Sequence, residues 1–250
     1  MKDHVEVLRT SVDGLREIVE GLSEDQIETS AYPTEWSVAD VLSHLGSGAE
    51  IMQRFLVDAV AGAETPSDFA QSVWDAWNAK SPQAQAADAL VADRSYVDAL
   101  GSLSEPERAT FTFAMGPMTF DFPAFVGLRL NEHALHAWDI AVTFDPQASL
   151  LPDATDLIID GLGMTARYTG KPLSADGRVT VRTSEPERTF TIATGPEVTV
   201  EGDASVDDPD LEIPAEGLIR LVYGRLDPAH TPPTGGSADL DALRQVFPGP

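Results

Sequence analysis

The sequence predicts a four-helix bundle followed by a smaller α+β domain with an antiparallel sheet. Two observations predict it. In the first part of the chain, apolar side chains recur every three or four positions, the period of an amphipathic helix. After Gly170 the period changes to two, the pattern of half-buried strands. The stretch 146–152 begins and ends with proline and reads as a linker. It places the bundle at residues 1–147 and the second domain at 153–250.

Each element has its own signal. Val5, Leu8, Val12, Leu15, Val19 and Leu22 form one apolar face, so the chain opens with a helix, and Pro33 breaks the chain after it. Ser37 reads as an N-cap with Asp40 three residues on, a capping box with Asp in place of Glu, and the helix it starts should run to Ala61. Further helical patterns cover 66–80 and 82–103. Residues 109–122 are rich in aromatic and β-branched side chains around Gly116-Pro117, which reads as a short hairpin or extended loop. The pattern is helical again over 123–144, with proline at the first position, and once more over 153–168. Alternation marks strands at 178–183, 189–192 and 197–200, and two helices near 214–223 and 238–247 close the chain.

Composition narrows the function. The chain has 250 residues, 41 acids against 16 bases, a formal net charge of −25 and no cysteine. Residues 1–150 carry 24 acids against 8 bases and residues 151–250 carry 17 against 8, so neither half offers a basic patch. Binding to nucleic acid or to anionic membrane is not expected. The acid excess reads as solubility. Without cysteine there is no disulfide, no thiolate metal site and no cysteine nucleophile. No apolar run approaches the roughly 20 residues needed to span a bilayer, and the N-terminus lacks the basic start and apolar stretch of a secretory signal. The chain reads as soluble and cytoplasmic.

The chemistry has to come from a few side chains. Of five histidines, His4 and His230 fall near the N-terminus and in a proline-rich loop, whereas His44, His133 and His136 lie inside helical patterns. His44 shares a stripe with Val41, Gly48, Ile51 and Phe55, and Gly48 one turn on leaves room beside its ring. Taken alone it fits a core histidine with ordinary hydrogen bonds better than a ligand. On the later helix, Phe125, Leu128, Leu135 and Val142 form the buried stripe and Glu132 falls on it. Glu132 and His136 are four apart, hence one above the other on one face, roughly 6 Å apart in rise. Such a pair can share a metal ion. It can also be a plain Glu–His hydrogen bond, or Glu132 can pair with Arg129. Together with His44 the pair makes a His₂Glu set, and three protein ligands leave a fourth place for water or substrate, the pattern of catalytic zinc. A di-iron bundle would need a second Glu-x-x-His helix, which is absent from the sequence. His133 competes for a ligand place but points about 100° away from Glu132 on the helical wheel. Asp139, one turn past His136, can orient its ring or equally make a plain helix–helix polar contact.

Three segments carry a resemblance. Trp36-Ser-Val-Ala-Asp-Val-Leu-Ser-His44-Leu resembles the second-helix motif of DinB-like bundles. Glu132-His-Ala-Leu-His136-Ala-Trp-Asp139-Ile resembles the Glu-x-x-x-His-x-x-Asp motif of their actinobacterial branch, the mycothiol-dependent maleylpyruvate isomerase family. Leu218-Ile-Arg-Leu-Val-Tyr-Gly-Arg225-Leu-Asp-Pro, with Leu243-Arg-Gln-Val-Phe247-Pro-Gly, resembles that branch's sterol-carrier-like C-terminal domain. The resemblance implies a divalent metal, usually zinc, held by His44, Glu132 and His136, and mycothiol as an external thiol bound to it as thiolate. It implies cis-trans isomerisation of a small electrophile, or transfer of the thiol to one. It also implies an arginine of the second domain that holds a substrate carboxylate: Arg225 by motif, with Arg220 the alternative and an ion pair to Glu216 the structural reading of either. The expected partners are the electrophile and a low-molecular-weight thiol, with the chain a monomer or small homo-oligomer. Two other functions fit the same residues: a non-catalytic protein binding a small molecule or lipid, and a metal-dependent hydrolase using the same three ligands and a bound water.

Overall fold

The structure is a computed structural model that describes residues 2–32, 35–173, 176–202 and 206–249. The chain divides into two compact units, Met1–Ala148 and Ser149–Pro250.

The first unit is built on four long helices. Helix α1 (His4–Glu20) starts where the Asp3 carboxylate accepts from the Val5 amide. A one-turn helix, α2 (Glu24–Ile27), follows behind a Ser23/Gln26 capping box. Pro33, the expected breaker, lies outside the described residues. The long α3 (Val38–Ala61) begins at Ser37 as its sequence predicts: the Asp40 carboxylate accepts from the Ser37 amide at 2.9 Å, and the Asp40 amide donates to the Ser37 hydroxyl at 3.1 Å. It stops at Gly62, whose φ of 64° favours glycine. Next come α4 (Phe69–Asn78), α5 (Pro82–Ser102) and the short α6 (Glu105–Thr110). The hairpin then forms from β1 (Phe113–Met115) and β2 (Met118–Phe120), and Gly116 supplies the positive φ of its turn. Helix α7 (Phe122–Phe144) follows, capped by Asp121.

Helix α3 packs on α5, α5 on α1, α1 on α7, and α7 back on α3, which closes a four-helix ring. Helix α4 leans on α3 from outside. The α3–α5 approach is close because of one residue: a Cβ on Gly46 would lie 2.2 Å from the Trp77 ring and 2.9 Å from the Ala89 Cα.

The second unit differs from expectation in two places. The helix expected over 153–168 is two helices, α8 (Pro152–Ile158) and α9 (Leu162–Thr169), joined by a 3₁₀ turn at Ile159–Gly161. Gly161 and Gly163 weaken the helix locally. A Cβ on Gly163 would also sit 2.7 Å from the Val200 carbonyl oxygen, so α9 is drawn against the sheet. The sheet comprises β3 (Gly177–Ser184), β4 (Arg188–Thr194), β5 (Thr199–Gly202), β6 (Leu211–Pro214) and β7 (Gly235–Gly236) in the order β5-β4-β3-β6-β7. Its pairs are antiparallel except β3–β6, which is parallel. Four residues of β6 are too few for alternation to show in the sequence. Helices α10 (Ala215–Val222) and α11 (Leu240–Val246) complete the unit. Among the described residues no helix is long and apolar enough to cross a membrane.

Gly46→Ala should lower stability. Overpacking costs about 1–3 kcal/mol, more than the ~1 kcal/mol gained from helix propensity. Urea unfolding would check this: an unchanged midpoint would mean that the α3–α5 seam can widen freely.

Candidate metal centre

Helix α3 supplies one functional side chain and α7 the others. His44 sits two turns past the Ser37 cap, so the cap fixes its place along the bundle. Glu132, His136 and Asp139 occupy successive turns of α7. His44 Nε2 lies 3.1 Å from Glu132 Oε2, and His136 Nε2 lies 3.7 Å from the same oxygen. One ligand atom from each of His44, Glu132 and His136 falls within 4.8 Å of the others. Among the described residues this is the one group of three or more His, Asp or Glu side chains close enough to hold a metal ion.

The cluster is shallower than the apolar pattern suggests. The Glu132 side chain is 52% exposed, His44 37% and His136 12%. Leu128, one turn before Glu132, is also only half-buried, whereas Phe125, Leu135 and Val142 of the same stripe are buried, so the face opens to solvent at the level of Leu128 and Glu132. Arg129, His133 and Ile140, beside that stripe, are buried too.

Two contacts orient the ligands. Asp139, fully buried, places Oδ2 2.8 Å from His136 Nδ1. An ionised carboxylate only accepts, so the ring proton belongs on Nδ1, and the Nε2 lone pair faces Glu132. The Trp36 indole stacks on His136 (centroids 5.9 Å apart, planes at 17°) and tilts against His44 at 5.4 Å. Partial desolvation pushes the Glu132 carboxyl up. The His44 hydrogen bond, the charges that His136 and His44 carry when protonated, and the Arg129 charge more than reverse this and bring it down to about 2. At neutral pH Glu132 is an anion.

Beneath the cluster lies a polar layer that sequence reading missed. The Arg129 guanidinium, 3% exposed, donates from Nη2 to Asp93 Oδ1 of α5 at 2.5 Å and to the Leu45 carbonyl of α3 at 2.7 Å. A Cβ on Gly48 would lie 2.9 Å from its Nη1, so Gly48 makes room for Arg129, and the His44 ring is not within 4 Å of that position. Arg129 therefore pairs with Asp93, not with Glu132. His133, the rival ligand, is buried away from the cluster. Its Nδ1 lies 2.8 Å from the Ser11 hydroxyl and its Nε2 3.4 Å from Asp93 Oδ2. A charged residue one turn past Phe125 on the core stripe was the available signal for Arg129. Asp93 had none, being one acid among several on its helix.

In the second unit, Arg220 forks to Glu216 with both bonds at 2.9 Å and donates to the His230 carbonyl at 2.8 Å. Arg225 lies beyond α10, after Gly224 with φ of 69°, not on the same helix as Arg220. It is buried, and its Nη1 donates to the Tyr223 carbonyl at 3.0 Å.

Fold and cluster together define a class: a helical bundle that presents two histidines and a glutamate at one point, joined to a small α+β unit. Residues 8–141, more than half of the chain, match the family described as the mycothiol maleylpyruvate isomerase N-terminal domain. The chain belongs to this family. Comparison with curated proteins finds no match. Among solved structures, a mycothiol-dependent maleylpyruvate isomerase is similar in fold, with a TM-score of 0.67 at 13% identity. A mutant of such an isomerase, with one histidine replaced by alanine, gives 0.66 at 12%. Each comparison covers 89% of this chain and 88% of the other.

Breaking the buried ion pair should be costly. Asp93→Ala leaves Arg129 buried without its counter-charge, with an expected loss of about 3–5 kcal/mol in denaturant unfolding. Burial pushes the Asp93 carboxyl up, but the charges of Arg129 and His133 outweigh this and hold it below the ordinary carboxylate value. Its contribution is thus complete above the unfolded value of about 3.9 and lost as the pH falls through the lower folded value. The stability gap between wild type and Asp93→Asn should be wide at neutral pH and narrow in strong acid. A gap independent of pH would contradict the assignment.

Proposed function

We propose that the chain is a metal- and mycothiol-dependent enzyme that isomerises a small electrophile or transfers the thiol to it. Its divalent metal, zinc by donor chemistry, would be held by His44, Glu132 and His136. The observation that carries this reading is the spacing of the three ligand atoms. Metal–ligand bonds of 2.0–2.1 Å in a tetrahedron put ligand atoms about 3.4 Å apart. The distances to Glu132 Oε2 are 3.1 and 3.7 Å, and all three ligand atoms lie within 4.8 Å of one another, so side-chain adjustment has to close the set onto an ion. Two imidazole nitrogens and a carboxylate oxygen are also a donor set that zinc accepts in catalytic sites.

The chain's own residues account for most of the requirements. Glu132 is already an anion, so no proton has to leave it before a cation binds. Asp139 fixes the His136 tautomer and leaves Nε2 as the ligand atom. The protein has no cysteine, so a thiol must come from outside. A bound divalent cation lowers a thiol's pKa and supplies thiolate at neutral pH. In the isomerase reaction the thiolate sulfur adds to one carbon of a double bond conjugated with a carbonyl, and the π pair shifts onto the carbonyl oxygen as an enolate. The new single bond rotates, and the sulfur then leaves with its electron pair as the double bond re-forms in the trans geometry. In the transferase variant the adduct takes a proton and departs as product. Arg225, by its place in the family motif, is the proposed holder of a substrate carboxylate.

Mass spectrometry after zinc loading and desalting should find about one zinc per chain in wild type and none in His44→Ala, with the helical circular dichroism of both intact. Turnover of an unsaturated keto acid should require added mycothiol. Hydrolysis without thiol, or an active metal-free His136→Ala protein, would overturn the proposal. Asp139→Asn should weaken zinc binding by about 10–100-fold, read by competition with a chromophoric chelator.

A further inference from the structure

The proposed ligands come from two helices. Glu132 and His136 are held together by the α7 backbone, but His44 is on α3, and nothing covalent fixes its distance from them. A metal site tolerates ligand positions within about 0.2 Å, whereas sliding α3 by one residue moves His44 by about 1.5 Å. Apolar packing is non-directional and sets axial register only loosely. A directional contact between the two helices close to the ligands is therefore needed, and the structure contains one.

Arg129 lies three residues before Glu132 on α7. Its Nη2 bonds to the carbonyl of Leu45, the residue after His44 on α3. Its Nη1 occupies the space where a Cβ on Gly48 would be, one turn past His44. Asp93 on α5 holds the same nitrogen that reaches Leu45, so the guanidinium cannot swing away. A planar guanidinium with donors at fixed angles defines a position along the helix more sharply than aliphatic contacts do.

We infer that Arg129 is a positioning residue for the metal centre: seated in the gap at Gly48 and bonded to the Leu45 carbonyl, it sets the register of α3 against α7 and hence the distance from His44 to the Glu132–His136 pair. The inference rests on the reading of that cluster as a metal site and adds to it a residue that never touches the ion.

Gly48→Ala is a clean probe. The added Cβ meets Arg129 Nη1 at 2.9 Å and Cζ at 3.8 Å and, apart from its own helix and chain neighbours, nothing else within 4 Å. It reaches no ligand. Arg129→Lys is the second probe, keeping the charge beside Asp93 but removing the fork. Zinc affinity of the folded chains would be measured with a competing chelator, and cobalt(II) substitution would report ligand geometry through its visible absorption bands. Both variants should bind zinc about tenfold more weakly or worse, with altered cobalt bands, at temperatures where their circular dichroism matches wild type. The double variant should be no weaker than Arg129→Lys alone, because lysine lacks the nitrogen that the methyl added by Gly48→Ala would strike, so the two changes act through one contact. Wild-type affinity and wild-type cobalt bands in both single variants would overturn the inference, whatever their melting temperatures. A wild-type chain that binds neither metal would overturn the metal reading itself, and this inference with it.

Discussion

A guanidinium sealed in a helical bundle needs a counter-charge, because an unpaired buried charge would cost more than the domain can spare. Arg129 finds Asp93 on α5 and the Leu45 carbonyl on α3, and Gly48, with no side chain, leaves the space that admits it. Three of the four long helices are thereby tied at one level. His133, on the next turn of α7, extends the same layer to Ser11 of α1. Leu8, Leu42, Leu100 and Trp138 are among the apolar side chains buried in the same bundle. This directional layer joins α3 and α7 within one turn of His44 and Glu132.

That placement explains the electrostatics of the cluster. Glu132 faces two imidazoles and feels the Arg129 charge from below, which keeps it anionic even though it has lost part of its hydration. In the proposed reading, this half-exposed anion with imidazoles on both sides holds the cation where solvent and small molecules reach it. Asp139, buried behind His136, supplies the oriented acceptor that an imidazole ligand needs, and Trp36 covers both rings from the α3 end. The chain has no cysteine, so in the proposed reaction the thiol comes from outside.

Much of this was legible in the sequence, for identifiable reasons. The Ser37/Asp40 box fixed the start of α3, and the four-residue spacing of Glu132 and His136 fixed their common face, because both are local and follow from helix geometry. Depth was not legible. Three of the four stripe residues are buried, yet Glu132 on the same face is half-exposed, because exposure depends on what packs opposite that one level of α7. The Arg129–Asp93 pair was hidden because it joins helices 36 residues apart in sequence, and no local pattern marks the acid. Gly48 reads as leaving room beside the His44 ring, but the group it admits is the Arg129 guanidinium of another helix. In the second unit, the break at Ile159–Gly161 depends on how closely α9 approaches Val200, a tertiary fact. Gly224, by contrast, is a local signal that α10 ends before Arg225.

X-ray absorption at the zinc edge of the loaded protein tests the central claim most directly, because it counts the atoms around the ion with and without the external thiol. The account predicts a first shell of nitrogen and oxygen at about 2.0–2.1 Å from His44, Glu132, His136 and solvent, joined on addition of mycothiol by one sulfur at about 2.3 Å. A first shell that stays free of sulfur at saturating mycothiol would contradict it.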